Sequence, residues 1–388
     1  MIVICAVTGF LSHAAYNPGL DGNATQRAGD GFDLYFFDWP TSPAWIYAVN
    51  QGLHVITGIV AIPLLFAKLW SAIPKLFEWP PVRSPAHALE RLSLALLVGG
   101  SLFVFFTGIL NVQLWYPFGF GFLPAHYYGA FIFLAALTLH VAIKLPVVRR
   151  SFGERGVVRP LRDDLEHTRP EAYDHEADST APEAPAAPTL SRRGLIATIG
   201  AGSLGLFIVS AGQAIGGPLR RLAVLAPRGG DIGGGPNAFP VNKSAATAKV
   251  TPALAGANWQ LQLEGPSRAS LFRFQLADME QHTEDLPIAC VEGWSTTQTW
   301  TGVRLRDLAK IVGAENATEL VVESLQPTGA FRKAAFARNQ LDDERSLLAL
   351  RVNGEDLSLD HGFPARIIIP GAPGVHNTKW VSSMKWTS

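Results

Sequence analysis

Ten histidines and two cysteines are the side chains of this 388-residue protein best suited to hold a metal or act as a nucleophile. Cys5 lies in an apolar run and Cys290 far downstream, so they give no disulfide framework and no Cys-x-x-Cys spacing for zinc or an iron–sulfur cluster. Any metal must then be held by imidazoles or by one thiolate. His13, His54, His87, His126 and His140 fall within or at the ends of long apolar runs, where an imidazole is costly in lipid and usually functional. His126 and His140 are fourteen residues apart. At about 100° and about 1.5 Å per residue they share one helix face, about 21 Å apart along it. Two imidazoles at two membrane depths suit two stacked b-type haems, each completed by a histidine from a neighbouring helix. His54, in Gln51-Gly52-Leu53-His54-Val55-Ile56-Thr57-Gly58, is the favoured partner, because Gly52 and Gly58 leave room for a porphyrin. The alternative for His54, His126 and His140 is interhelical hydrogen bonding without metal. His13 and His87 sit at interfaces where water can satisfy them, and His167, His175 and His282 read as surface residues.

Cys290 stands in Leu286-Pro287-Ile288-Ala289-Cys290-Val291-Glu292-Gly293-Trp294-Ser295, a strand-to-loop turn flanked by Gly and Trp. Its thiol could serve as a nucleophile, a soft metal ligand or a small packed hydrophobe.

The elements that must position these residues follow from composition. Only 16% of residues are charged, 48% are hydrophobic, and Lys+Arg 32 balances Asp+Glu 32, which argues against a nucleic-acid binder and for a membrane. Residues 45–69, 92–112, 126–148 and 194–216 each reach the roughly 20 apolar residues a bilayer helix needs. The run 1–15 is too short to cross and reads as the end of a helix that starts upstream. Lys68, Lys75, Arg83, Arg91 and Lys144, Arg149, Arg150, Arg155, Arg159, Arg162 put their loops on the cytoplasmic side. The opposite connections, 16–44 and 113–125, hold Arg27 as their one basic residue and face outward. Residues 163–190 turn acidic and Pro-rich, a composition that cannot bury enough apolar surface to fold. Ser191-Arg192-Arg193-Gly194 then precedes an apolar helix, which reads as a twin-arginine (Tat) export signal inside the chain. The alternative is a pair of charges flanking an ordinary membrane helix. Beyond a Gly/Pro-rich tether, short alternating runs at 259–265, 319–324, 347–352 and 366–369 predict a mainly β domain with a helix over 305–312.

Two resemblances arise from these residues. The helices with His54 and the His126/His140 pair resemble the membrane b-type cytochrome subunits of formate dehydrogenases and nickel-iron hydrogenases. That resemblance implies an outer haem on His54 and His126 and an inner haem on His140, with no histidine on the inner side of residues 1–15 to complete it and His87 as a substitute. Cys-Val-Glu-Gly-Trp-Ser, Trp300-Thr301-Gly302-Val303, His361-Gly362-Phe363-Pro364-Ala365-Arg366 and Gly374-Val375-His376-Asn377-Thr378-Lys379-Trp380 resemble the sulfite-oxidase-fold molybdopterin domain, nearest to the catalytic subunit of periplasmic methionine sulfoxide reductase. It implies that Cys290 ligates molybdenum and that Asn242, Ser324, His361, Arg366, the Gly374-Val375-His376 turn and Lys379 hold the pterin and its phosphate.

The expected architecture is multi-domain: an all-α membrane four-helix cytochrome b bundle plus one further transmembrane helix, then a mainly-β α+β molybdopterin domain of sulfite-oxidase type. Its expected boundaries are the bundle at 1–150, a disordered cytoplasmic linker at 151–190, the twin-arginine-preceded helix at 191–217, the tether at 218–236 and the molybdopterin domain at 237–388. The expected function is a molybdenum oxidoreductase of the cytoplasmic membrane, multi-pass with its C-terminal domain outside, carrying molybdenum-molybdopterin and one or two haems b. It would exchange electrons between the quinone pool and a small sulfoxide or N-oxide substrate of methionine-sulfoxide type. Glu292 and Trp294 are expected to line the entrance, with Glu292 repelling anions such as sulfite. The competing reading is a haem b electron conduit whose exported domain is a non-catalytic docking module.

Overall fold

The computed structural model describes residues 1–17, 20, 23, 37–77, 79–156, 158, 161–169, 186–228 and 232–387. Arg27, Arg159, His175 and the centre of the acidic Pro-rich stretch lie outside them. The chain divides into two compact units: Met1 with 57–110 and 125–208, and 2–56 with 111–124 and 209–388.

Up to residue 216 the described α-helices are α1 (Ile2–Ala14), α2 (Ile46–Val60), α3 (Ile62–Ala72), α4 (Pro85–Val112), α5 (Phe122–Arg155), α6 (Arg192–Ser210) and the short α7 (Gly212–Ile215). Among the described residues, three helices are long and apolar enough to cross a membrane, or four if the bent pair α2–α3 is one span. The run 45–69, read as one helix, is two helices bent by 43°. The cause is Pro63 in the first turn of α3, which lacks the N–H that would continue α2. The third run starts seven residues before the expected 92, because Ser84 Oγ accepts from His87 N at 3.1 Å and Pro85 suits the first helical position. His87 itself accepts from Arg83 N through Nδ1 at 3.2 Å, so it belongs to that cap. Within the first unit Leu69 of α3 packs on Leu94 and Val98 of α4. At Gly100 of α4 an added Cβ would stand 3.2 Å from Phe133 Cα of α5, so the two helices approach closely there.

In the second unit, two five-stranded sheets follow the helical segments. One runs β2-β1-β10-β5-β6, from β1 (Gln260–Glu264), β2 (Arg268–Phe272), β5 (Glu319–Ser324), β6 (Lys333–Ala337) and β10 (Val381–Thr387). The other runs β3-β4-β7-β8, from β3 (His282–Ala289), β4 (Ser295–Arg304), β7 (Leu347–Val352) and β8 (Glu355–Asp356), with β9 (Arg366–Ile368) on β7. β5 alternates buried and half-buried residues as its sequence predicts, whereas β9 is buried on every residue. The two sheets share a core containing Leu261, Val322, Phe336, Leu348, Ile367 and Met384. The expected helix over 305–312 is Leu305–Ile311, ended by Gly313 at φ +67°. His282, read as a surface residue, has a side chain only 13% exposed and lies 3.8 Å from Asp307. His13 is likewise buried, at 7% exposure.

Candidate functional site

Cys290 opens the hairpin loop between β3 and β4, whose last register pair is Ala289 with Ser295. The loop closes on itself: Cys290 N donates to Trp294 O and Gly293 N donates to Cys290 O, both at 2.9 Å. Gly293 is required there, with φ +94° and a position where a Cβ would stand 2.8 Å from Val55 Cβ. Gly374 is the second required glycine, since its N donates to Ala289 O at 2.7 Å and an added Cβ would stand 2.7 Å from that same oxygen. The Gly374-Val375-His376 turn is thereby pinned beside Cys290. The thiol is 2% exposed, and burial together with the Glu292 carboxylate pushes its pKa up, so without a metal it stays protonated.

Arg366 and Lys379 face the same region. Arg366, 2% exposed, donates from Nε to Asn377 O and from a terminal nitrogen to His361 O, both at 3.2 Å, and stacks 5.5 Å from the Trp300 ring. Lys379 Nζ donates to Lys243 O at 2.7 Å and Asp360 O at 2.8 Å. No carboxylate of the described residues lies within ion-pair distance of either. Burial lowers the Arg366 pKa to about 9, and burial with the Arg366 charge drives Lys379 well below its ordinary value. His361 falls to about 3 through burial and those two cations, and His376 to about 3 through burial alone, so both imidazoles are neutral. Uncompensated buried cations cost on the order of several kcal/mol each. Among the described residues the nearby buried atoms His361 Nδ1, His376 Nδ1 and Asn377 Nδ2 have no hydrogen-bond partner. An anionic, polar group such as a pterin phosphate answers both deficits, so these residues fit molybdopterin.

The other expected site residues serve as framework. Ser324 Oγ donates to Lys379 O at 2.8 Å, and Asn242 Oδ1 accepts from Lys243 N at 2.9 Å, fixing the segment whose carbonyl receives Lys379. Val375 joins the cluster that contains Ala289. A cavity of about 420 Å³ adjoins this segment, lined among others by Arg228, Asn237, Phe239 and His361.

Glu292 does not act as expected. It is 4% exposed, accepts from Trp294 Nε1 at 2.9 Å and lies 3.7 Å from Arg228 Nε. The guanidinium offsets the negative charge that was to repel anions, and burial pushes the carboxyl pKa up. Trp294 is also buried, at 2%. Sequence reasoning missed Arg228 because it lies in the Gly/Pro-rich stretch taken for a tether, where no motif marks it. It missed Gln51 and Gln213 for a similar reason. Gln51 Nε2 donates to Val291 O at 2.6 Å and Gln213 Nε2 to Glu292 O at 3.1 Å, so helical residues satisfy the carbonyls of the Cys290 loop.

The three histidines read as haem ligands are placed as follows. His54 on α2 contacts Cys5 O through Nδ1 at 2.8 Å, and a carbonyl can only accept, so Nδ1 carries the proton and Nε2 the lone pair. Gly9 makes room for this ring, an added Cβ there standing 2.8 Å from His54 Cε1. His126 Nδ1 lies 3.1 Å from Thr107 Oγ1, whose proton goes to Phe103 O at 2.7 Å, so this imidazole is the same tautomer. His140 is on α5, in the unit that holds His126, whereas His54 is in the other.

Residues 248–388 match the family described as the oxidoreductase molybdopterin binding domain. Human mitochondrial sulfite oxidase is 33% identical over 112 residues, 27% of this chain and 21% of that protein. The NADPH nitrate reductase of Aspergillus niger is 28% identical over 159 residues, 33% of this chain and 18% of that protein. The solved sulfane dehydrogenase SoxCD of Paracoccus pantotrophus matches with a TM-score of 0.31 at 22% identity, over 34% of this chain and 38% of that one. The chain thus spans about a fifth of the length of the curated relatives it matches. Its C-terminal region is a mainly β molybdopterin-binding oxidoreductase domain of sulfite-oxidase type.

Proposed function

We propose that the protein is a membrane-anchored molybdenum oxidoreductase that exchanges electrons between the quinone pool and a small extracytoplasmic substrate. The observation that carries this reading is the pair of buried cations Arg366 and Lys379, held among the described residues by neutral acceptors, with Lys379 in the segment that Gly374 N ties to Ala289 O beside the buried Cys290. Arg366, Lys379, His361, His376 and the 242–243 segment would hold the pterin, and Cys290 would supply a thiolate, a ligand of the softness molybdenum accepts. When bound, that cofactor supplies two-electron redox chemistry and oxygen-atom transfer. The chain's own part is to bury the thiol, exclude water and orient the cofactor through the Gly374 turn. The substrate class we assign is a sulfoxide or N-oxide of methionine-sulfoxide type. Metal analysis of the purified chain should find about one molybdenum, lost in Cys290→Ser because an alkoxide is a poor soft-metal ligand. Haem without molybdenum would favour the electron-conduit reading. Dye-coupled assays should give methionine sulfoxide a higher kcat/KM than sulfite, and the reverse order would overturn the substrate class.

For the membrane part we propose haem b, with His54, His126 and His140 as iron ligands. In each of the first two imidazoles Nδ1 is committed to an oxygen, an arrangement common to metal-bound histidines. The helices would lie in the cytoplasmic membrane, with the C-terminal domain outside after twin-arginine export. His54→Ala should remove one low-spin haem signal while dye-driven turnover persists.

A further inference from the structure

The family match begins at residue 248, yet two side chains from the N-terminal segment enter the surroundings of Cys290. Tyr16 follows α1 and Tyr47 lies in the first turn of α2; they are 2% and 1% exposed. Both belong to one packed cluster with Ala289, the neighbour of Cys290, and with Val375, the neighbour of His376. The Tyr16 ring meets the His376 ring edge-on at 5.2 Å. Trp39 braces Tyr47 edge-on at 6.5 Å and is itself tied to Gly371 O through Nε1 at 2.8 Å. The two hydroxyls lie within reach of each other, and among the described residues neither has any other hydrogen-bond partner. Buried hydroxyls are almost always fully satisfied, and a pair with at most each other to bond, in one cluster beside the candidate metal thiolate, calls for a ligand atom. Because a phenol is neutral near pH 7, the ligand atom they can share is an acceptor. Burial and the neighbouring Cys290 push the Tyr16 pKa further up, which keeps it a donor.

We propose that Tyr16 and Tyr47 form a substrate subsite supplied by the N-terminal segment, in which their hydroxyls donate hydrogen bonds to the oxygen of an S–O or N–O substrate. This rests on the molybdenum-enzyme reading above. The subsite would make the helical segment part of the substrate pocket, so that the domain of residues 248–388 is incomplete without it.

The test uses the full chain in detergent with its cofactors, comparing wild type with Tyr16→Phe, Tyr47→Phe and the double variant. Phe keeps the ring packing and removes only the orphan oxygen, so thermal stability without substrate should stay level or rise. Titration calorimetry of the oxidised protein with methionine sulfoxide reads binding without turnover. Each variant should bind about tenfold more weakly, the usual worth of one hydrogen bond, with molybdenum content unchanged. Unchanged affinity in the double variant overturns the subsite. Loss of molybdenum in the variants also overturns it, by assigning the hydroxyls to the cofactor. A wild type that holds molybdenum but binds sulfite and not the sulfoxide fails the substrate class; weaker sulfite binding by the Phe variants would then still uphold the subsite.

Discussion

At the scale of single residues, the site is organised by charges that the fold alone does not stabilise. Lys379 is the clearest case, because its ammonium is buried against two carbonyls and beside Arg366. Its folded-state pKa lies below the unfolded one, so the unfolded state binds more protons and stability rises with pH across that interval. The cofactor-free protein should therefore gain stability as pH rises from the lowered pKa of Lys379 towards the ordinary lysine range. The cofactor-loaded protein, with an anion beside the ammonium, should show a flatter profile. Lys379→Met should raise the melting temperature of the cofactor-free protein and abolish molybdenum retention, since replacing an uncompensated buried charge by an apolar side chain removes a cost of about 1–4 kcal/mol. A lower melting temperature would show that the cation is already compensated. Cys290 obeys the same logic: its raised pKa means that metal binding must expel a proton, so molybdenum retention should weaken as pH falls.

At the scale of elements, the β3–β4 loop is held from outside as much as from within. Val55 of α2 packs on Gly293, and Gln51, one turn earlier, caps Val291 O. Gln51 is itself fixed by Ser12 Oγ, which donates to its Oε1 at 2.6 Å. Gln51→Leu leaves that carbonyl without its donor and the Ser12 hydroxyl proton without its acceptor, which should destabilise the chain by about 1–3 kcal/mol in a denaturant titration. Gly293→Ala meets both the clash with Val55 and the φ of +94°, a conformation that costs a non-glycine residue about 1–3 kcal/mol. Adding Val55→Ala removes the two γ-methyls but leaves Val55 Cβ at 2.8 Å, so it should recover part of the clash and none of the backbone strain, and the double variant should remain less stable than Val55→Ala alone. Full recovery would show that the loop can shift.

At the scale of the whole molecule, residues 2–56 and 111–124 cluster with 209–388, so the unit that contains the molybdopterin-binding domain also draws on helical segments. If the orientation proposed here holds, replacing Arg192 and Arg193 by Lys should leave residues 237–388 on the cytoplasmic side, and a surface-protease assay that still finds them outside would refute twin-arginine export. What the sequence determined by itself were the features carried by local pattern: the apolar lengths of α4, α5 and α6, the alternation of β5, the helix at 305–311 with its glycine stop, and the ordered motifs around Cys290, Arg366 and Lys379. These are legible because hydrophobic periodicity and turn chemistry act over a few residues. The tertiary structure alone decided that the charge of Glu292 is offset by Arg228, some sixty residues earlier in an unmarked Gly/Pro stretch, and that Tyr16, Tyr47 and Gln51 reach the Cys290 loop. Burial and partner charge depend on which distant segments meet, so the field at a side chain is set by the assembled fold and not by its neighbours in the chain.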